Sequence, residues 1–427
     1  VLRWEITKLT CDYRQEMNVF DPFNLFVTAT FFVVMHVSTG MFFESSLQTS
    51  YAPNYDFYHN LSKMNECLRH ISTQYSEFVD VEMRYRSRYG LSQYVLHITN
   101  FTLDTVDKKT DKRSKVLLSY GEHAAEFFPV ESMFYFLRNI TQGYDMHPGT
   151  REGNFTRFVL NNFDLYLLTI VNPDGRMVVE TTRNYCWMGT ANDVDLNSDL
   201  KNGVGNGNTM RTIAEPECKV IRDLTSRNHF DAFISFHSGQ RKILFPNGTS
   251  AKGSESSNVY YLASLISSSM TSRYTLVPSK ITDGGRSIFA YVALEKKISF
   301  TYKIFLWENE QKPSEIIGKD CFSTYNPQSA NLEAKLEAVH PLYSTLFNYL
   351  HYWKEMQLYK TAEQLAKIED TRRLSFSTVL FFLLGCTGVY LISQARVPLS
   401  WKMYYRRQRR IVSLRSLGTL FTLVCLV

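Results

Sequence analysis

The chain has 427 residues, a formal net charge of +6 and a 14% share of aromatic residues. This length accommodates one large domain or two ordinary ones, and the composition is that of a folded protein. The positive charge is local, because residues 396–415 hold seven Lys and Arg side chains and no acid. Removing those seven charges from +6 leaves −1 for the rest of the chain. The main body therefore has no basic excess, and no nucleic-acid partner is expected.

Two long uncharged stretches frame the chain. Residues 374–395 provide about 22 apolar or neutral positions, enough to cross a hydrocarbon core of roughly 30 Å, and predict a transmembrane helix. Residues 23–43 are also uncharged and follow an N-terminal extension, residues 1–22. They fit either a cleaved signal peptide or an uncleaved signal anchor, and both alternatives remain open. The basic segment, residues 396–427, is then expected to be a cytosolic tail.

Glycosylation sequons predict which side of the membrane the main body occupies. Five Asn-X-Ser/Thr sequons lie between the two uncharged stretches and none lies outside them. Together with the basic tail they predict a membrane protein whose main domain is extracellular or in the lumen of the secretory pathway. The predicted glycosylation sites are Asn60, Asn100, Asn139, Asn154 and Asn247.

The cysteines fit an oxidising compartment. Four of them lie in the predicted main domain, namely Cys67, Cys186, Cys218 and Cys321. Two disulfides are possible in three pairings, among which the sequence does not choose.

Between residues 54 and 358, apolar strand-like runs alternate with helical segments. This alternation predicts a single α/β domain with a mixed, largely parallel central sheet flanked by helices. The predicted strands are Lys115–Tyr120, Phe163–Val171, Phe230–Phe236 and Ile298–Phe305, and the predicted helices are Pro129–Ile140, 259–272 and 330–356.

Polar residues follow three of these strands. His123 comes after the first, the Asn172–Gly175 segment (NPDG) after the second, and His237 after the third. Ligand sites of open α/β sheets gather at the carboxyl ends of the strands. His123, Glu126 and His237 also offer imidazole nitrogens and a carboxylate, which are the ligands that a catalytic zinc ion takes. An HxxE pair by itself is a weak signal, so the prediction depends on the neighbouring motifs.

The order of these motifs resembles the carboxypeptidase A-type zinc peptidases. The resemblance covers residues 54–358, and Asp320–Phe322 with Asn326-Pro327 is similar to a subgroup found in plants and protists. The motifs, in chain order, are Gly121–Glu126, Asn172–Gly175, Val194–Asn197, Glu215–Glu217, His237-Ser238 and Gly284–Thr301.

The resemblance implies the zinc carboxypeptidase fold, Zn²⁺ as cofactor, and peptide or protein C-termini as partners. His123, Glu126 and His237 would be the zinc ligands. Asp195 would accept a hydrogen bond from a ligand histidine, which fixes the tautomer of that ring. Asn197 would help to hold the terminal carboxylate of a peptide.

Three positions depart from the family pattern. The family's general base is a Glu that deprotonates the metal-bound water, and here Lys303 stands in its place. A protonated ammonium cannot accept that proton and is repelled by the metal ion. The Arg that clamps the substrate carboxylate is replaced by Ser198, and the Arg that stabilises the oxyanion by Met188. Loss of one oxyanion donor typically costs about 10²–10³ in rate.

The sequence therefore predicts a membrane-anchored carboxypeptidase-family protein that binds zinc and peptide C-termini with impaired hydrolysis. Whether it is an enzyme stays open. One alternative is an active metallocarboxypeptidase that uses Lys303 or another base. A second alternative is a structural or adhesive ectodomain without metal.

Overall fold

A computed structural model of the chain describes residues 52–105, 112–197, 215–247, 253–279, 287–310 and 321–394. Predictions for residues 1–22, 23–43 and 396–427, and for Ser198, lie outside the described residues. The chain divides into two compact units after Lys354.

The first unit is built on one sheet of eight strands. The strands are β1 Val79–Arg86, β2 Ser92–Ile98, β3 Ser114–Ser119, β4 Phe163–Leu168, β5 Ala232–His237, β6 Lys242–Pro246, β7 Thr275–Ser279 and β8 Phe300–Phe305. Their order in the sheet is β1-β2-β4-β3-β5-β8-β6-β7. The inner strands β4, β3, β5 and β8 run parallel to one another, and β6 with β7 is also a parallel pair. The pairs β1–β2, β2–β4 and β6–β8 are antiparallel. The predicted mixed sheet is thus confirmed.

Helices flank this sheet, as predicted, and several bounds differ from the prediction. The helix expected from residue 129 begins at Phe128 and continues to Asp145. The region expected as one helix from residue 330 is divided at His340. The helices are α1 Leu61–Gln74, α2 Phe128–Asp145, α3 Arg151–Asn162, α4 Pro173–Thr182, α5 Lys219–Arg227, α6 Gly253–Ser269, α7 Ile288–Ala290, α8 Cys321–Tyr325, α9 Leu332–Val339 and α10 Pro341–Gln394.

Both faces of the inner strands are covered by apolar side chains. Val116 and Leu118 of β3 belong to the larger core cluster, whereas Leu117 between them belongs to a second cluster. On β5, Ile234 and Phe233 divide between the clusters in the same way. Strands covered on both faces carry continuous apolar runs, which is why the sequence shows no polar alternation there. A polar side chain at the end of such a strand is thereby held at the sheet edge.

One of the disulfides left open by the sequence joins Cys186 to Cys321. Cys67 is also disulfide-bonded, whereas Cys218 is buried and forms no disulfide. The second disulfide is therefore not the Cys67–Cys218 bond that would complete this pairing. Burial in an apolar cluster raises the pKa of the Cys218 thiol and leaves it in its neutral form.

The second unit is described for residues 355–394, all of them helical. Large apolar side chains are exposed along this segment, including Phe376, Phe381 and Leu391. By length and composition the helix qualifies as a candidate membrane span, and no other helix among the described residues does.

Candidate metal centre

The site begins with a turn that only glycine accommodates. Gly121, two residues after β3, has a positive φ of 63°, and a Cβ atom there would lie 2.8 Å from the Cγ1 atom of Ile170. L-residues rarely adopt this backbone conformation, and the packing would add a clash. The turn carries the chain into a short connection, residues 122–127, that holds His123 and Glu126 before α2 begins at Phe128.

His123, Glu126 and His237 converge, as the sequence predicts. The Nδ1 atom of His123 lies 2.9 Å from Glu126 Oε1, and the Nδ1 atom of His237 lies 2.9 Å from Glu126 Oε2. One ligand atom from each residue falls within 4.8 Å of the others, so the group can hold a metal ion. Two imidazole nitrogens and one carboxylate match the ligand set of a catalytic zinc ion, which keeps its fourth position for water or substrate.

The far nitrogen of each imidazole ring has its own partner. His123 Nε2 lies 3.1 Å from the Oδ1 atom of Asp195, the contact predicted for that residue. His237 Nε2 lies 2.8 Å from the Oγ atom of Ser235. When each Nε2–H donates to these oxygens, the lone pair on Nδ1 is free to face a metal ion.

Glu122 is a part of the site that sequence reasoning missed. Its side chain is 1% exposed and accepts hydrogen bonds from the hydroxyl groups of Ser119 and Ser235 and from the Nδ2 atom of Asn197. Its Oε2 atom also lies 3.5 Å from His237 Nε2. An acid directly before a ligand histidine, in an otherwise apolar run, was the available signal, since a buried charge requires partners.

Charge balance also fits a divalent ion. Burial alone would raise the pKa of Glu122, but His237, Ser119 and Asn197 lower it to about 2. Burial would likewise lower the pKa of His123 and raise that of Glu126. Instead, Glu126 and Asp195 raise the pKa of His123 to about 10, and the two histidines lower the pKa of Glu126. Burial alone would also raise the pKa of Asp195, but its hydrogen bond and ion pair with His123 lower it to about 2. Three carboxylates thus surround the two histidines, and a divalent cation would offset part of their charge.

Lys303 lies beside the metal ligands. It pairs with Ser235 in the β5–β8 register, which places it on the face of the sheet that carries His237. The side chain is 7% exposed, and its Nζ atom lies 3.5 Å from the backbone oxygen of Asn197 and 5.2 Å from the ring centroid of Phe289. A buried lysine thus occupies the strand position at which the sequence resemblance predicts the family's general base.

Two of the predicted substrate-binding residues, Asn197 and Met188, make hydrogen bonds within the protein. The Nδ2 atom of Asn197 donates to Glu122, so in this arrangement it is engaged within the protein rather than presented to a ligand. Met188 contributes its backbone oxygen, which accepts a hydrogen bond from Ala124 at 3.0 Å. These two roles, like that of Ser198, stay predictions.

Two connections hold the segment that carries Glu126. The buried side chain of Asn326 accepts hydrogen bonds from the backbone N–H groups of Phe127 and Phe128, at 2.7 and 3.0 Å, and donates to the oxygen of Ala125. The Cys186–Cys321 disulfide joins the residues near Met188 to the residues near Asn326. The NPDG segment has a structural role as well, because Asn172 caps α4 and donates to the backbone oxygen of Gly189.

The predicted glycosylation sites differ in their surroundings. Asn154 and Asn247 are exposed, whereas Asn139 is half-buried within α2. Asn60 caps α1 by accepting from the backbone of Lys63. Asn100 accepts a hydrogen bond from the Thr102 hydroxyl at 2.6 Å. Their modification stays a prediction.

The fold and the metal-ligand set together define a zinc carboxypeptidase-type domain, and the comparisons identify the family. The family model for zinc carboxypeptidases, peptidase M14, matches residues 64–324, more than half of the chain. The chain therefore belongs to the zinc carboxypeptidase family.

Relatives show the same family at low identity. Carboxypeptidase A1 of Rattus norvegicus is 26% identical over 270 residues, which are 58% of this chain and 60% of that protein. Carboxypeptidase B2 of Bos taurus is 26% identical over 216 residues, 45% of this chain and 47% of that protein. The chain thus spans between about half and 60% of the length of these relatives. Among solved structures, carboxypeptidase A from Helicoverpa armigera has a TM-score of 0.55 at 16% identity, over 70% of this chain and 75% of that one.

Proposed function

We propose that this protein is a membrane-anchored, zinc-binding member of the carboxypeptidase family that binds peptide or protein C-termini with impaired hydrolysis. The single observation that carries the proposal is the buried Lys303 side chain beside an intact His123–Glu126–His237 group. Binding of zinc requires only the ligand group, whereas hydrolysis also requires a base that accepts a proton from water. The ligands fit the first task, and Lys303 does not fit the second.

Zn²⁺ bound here would act as a Lewis acid toward a carbonyl or carboxylate oxygen. The residues of this chain would orient the ligand rings through Asp195 and Ser235, and Lys303 would add a second positive charge. Zinc and ammonium together favour an anionic group, which a peptide C-terminus provides. The site therefore keeps attraction for a carboxylate while lacking the family's proton acceptor at the Lys303 position.

Anchoring in a membrane is supported by the apolar helical segment within residues 374–394 and by the basic residues that follow it in the sequence. The sequons in the main unit support an extracellular or lumenal position for the metal centre, with the basic tail in the cytosol.

An active metallocarboxypeptidase remains the alternative function. The convergent ligand group and family membership favour it, since both belong to enzymes that release C-terminal residues. A metal-free structural ectodomain is the second alternative, and it predicts no stoichiometric zinc in the purified protein.

The test compares the wild-type full chain in detergent with Lys303→Glu and Lys303→Gln. Zinc content is measured by elemental analysis, and residue release is followed on peptides with varied C-terminal residues. We expect one zinc per wild-type chain and little chelator-sensitive release. Lys303→Glu restores a carboxylate base and should raise release at least about 10-fold.

Lys303→Gln is the matched control, because it removes the positive charge without supplying a base and should leave release low. Binding of a labelled peptide should fall when its C-terminal carboxylate is converted to an amide. Robust release by the wild-type chain, lost in His123→Ala, would establish the active alternative. Absence of zinc from the wild-type chain would establish the structural one.

A further inference from the structure

The buried carboxylate of Glu122 lies near the Nε2 atom of His237, whereas Glu126 contacts the Nδ1 atom of the same ring. Ser119 and Ser235 are neighbours in the parallel β3–β5 register, and both hydroxyl groups donate to the Oε1 atom of Glu122. Asn197 donates to the Oε2 atom. Three hydrogen-bond donors thus converge on a side chain that is 1% exposed.

Ser235 links this carboxylate to a metal ligand. Its Oγ atom lies 2.8 Å from Glu122 Oε1 and 2.8 Å from His237 Nε2. The Nδ1 atom of His237 faces Glu126 and the metal position, so in a metal-binding ring the proton is on Nε2. The oxygen that can accept from Nε2–H at 2.8 Å is Ser235 Oγ, and the hydroxyl proton of Ser235 is then directed at Glu122 Oε1.

We propose that Glu122 is a positioning residue for zinc binding, acting through Ser235 to fix the ring orientation and tautomer of His237. The inference rests on the proposed zinc site and adds a carboxylate–serine–histidine relay to it. Asp195 contacts His123 at 3.1 Å. The short path from Glu122 to His237 runs through the Ser235 hydroxyl, because the direct Oε2–Nε2 distance is longer, at 3.5 Å. Each ligand ring thus has its own acidic support, one half-exposed and one fully buried.

The experiment measures zinc affinity by chelator competition for the wild-type full chain, Glu122→Gln and Ser235→Ala. Outer partners of metal ligands typically contribute about 10–100-fold in affinity, and a loss in that range is expected for Glu122→Gln. Ser235→Ala interrupts the relay without changing charge and should also weaken zinc binding. Cobalt-substituted protein gives a second readout, because the variants should alter the visible absorption of the bound Co²⁺.

Glu131→Gln is the matched control. Glu131 is 3% exposed and also contacts a histidine, with its Oε2 atom 2.6 Å from His59 Nδ1, but it contacts none of the metal ligands. It should lower thermal stability while leaving zinc affinity and the cobalt spectrum unchanged. If Glu122→Gln does not fold, Ser235→Ala decides the matter.

Zinc affinities of Glu122→Gln and Ser235→Ala within twofold of a zinc-binding wild-type chain would overturn this inference alone. A wild-type chain that binds no zinc would overturn the inference and the proposed function together.

Discussion

The metal-ligand side and the predicted reaction side of this site differ in the residues that they offer. On the ligand side, His123, Glu126 and His237 converge, and both rings are held by oxygen acceptors. On the reaction side, we predict that Lys303 takes the place of a proton-accepting Glu and that Met188 takes the place of an Arg. The difference teaches that metal binding and hydrolysis have separate requirements. A ligand set is satisfied by three side chains and their supports, whereas catalysis also needs a base and oxyanion donors.

The largest expected effect comes from removing a ligand. His237→Ala leaves two protein ligands and should reduce zinc affinity by more than the roughly 100-fold seen for outer partners. Elemental analysis after dialysis would measure the loss. His97→Ala, a histidine that contacts Asp164 away from the site, is the control and should retain zinc. Full zinc content in His237→Ala would contradict the comparison, because zinc would then bind without this histidine.

Removal of the Cys186–Cys321 disulfide tests whether this bond helps to hold the metal ligands in place. Cys186 and Cys321 are 135 residues apart, and bonds that close long loops typically contribute about 2–5 kcal/mol. The double change to serine should lower the free energy of unfolding by such an amount and weaken zinc binding. Denaturant unfolding with and without zinc would measure both effects. Unchanged zinc affinity in the destabilised protein would show that the ligand side keeps its geometry without this bond.

Asn326→Ala tests whether the hydrogen bonds of Asn326 to the backbone around Glu126 hold that ligand in position. It leaves two backbone N–H groups and one carbonyl without their partner, at a cost on the order of 3 kcal/mol in unfolding free energy. Zinc affinity should fall with it, because Ala125 and Phe127 flank the ligand. Asn228→Ala is the control, since its side chain makes one long hydrogen bond, 3.4 Å to Leu224. Equal stability losses in the two variants would contradict this reading.

The stability of the zinc-free protein in acid measures unfolding without any contribution from loss of the metal ion. Burial alone would raise the pKa of Asp164, but His97, Arg113 and Thr99 lower it to about 2. A lowered pKa contributes stability that is complete above the ordinary value of 3.8 and is lost as the pH falls through about 2. Asp164→Asn should therefore reduce stability at pH 7 and flatten its decline between about pH 5 and 2. Thermal melts of the zinc-free protein would show an unchanged slope if this reading is wrong.

The smallest expected effect is that of Lys303→Gln, which tests whether a reaction-side residue influences zinc binding. Lys303→Gln removes a buried positive charge on the sheet face of His237 and should tighten zinc binding severalfold, because like charges repel. Chelator competition would measure the gain. Lys219→Gln, an exposed lysine on α5, is the control and should leave the affinity unchanged. A weaker site in Lys303→Gln would mean that the ammonium supports the ligand side through Asn197.

The sequence by itself determined the family, the strands and the three ligand positions. These features are local or ordered along the chain, such as the apolar runs of β3 and β5 and the residues that follow them. The disulfide pairing and the role of Glu122 were decided only by the tertiary structure. Ser119 and Ser235 meet because β3 and β5 pair in one register, and no local pattern specifies a register between strands so far apart in the chain. A buried acid can be seen in a sequence, but the donors that keep it charged are supplied by the fold.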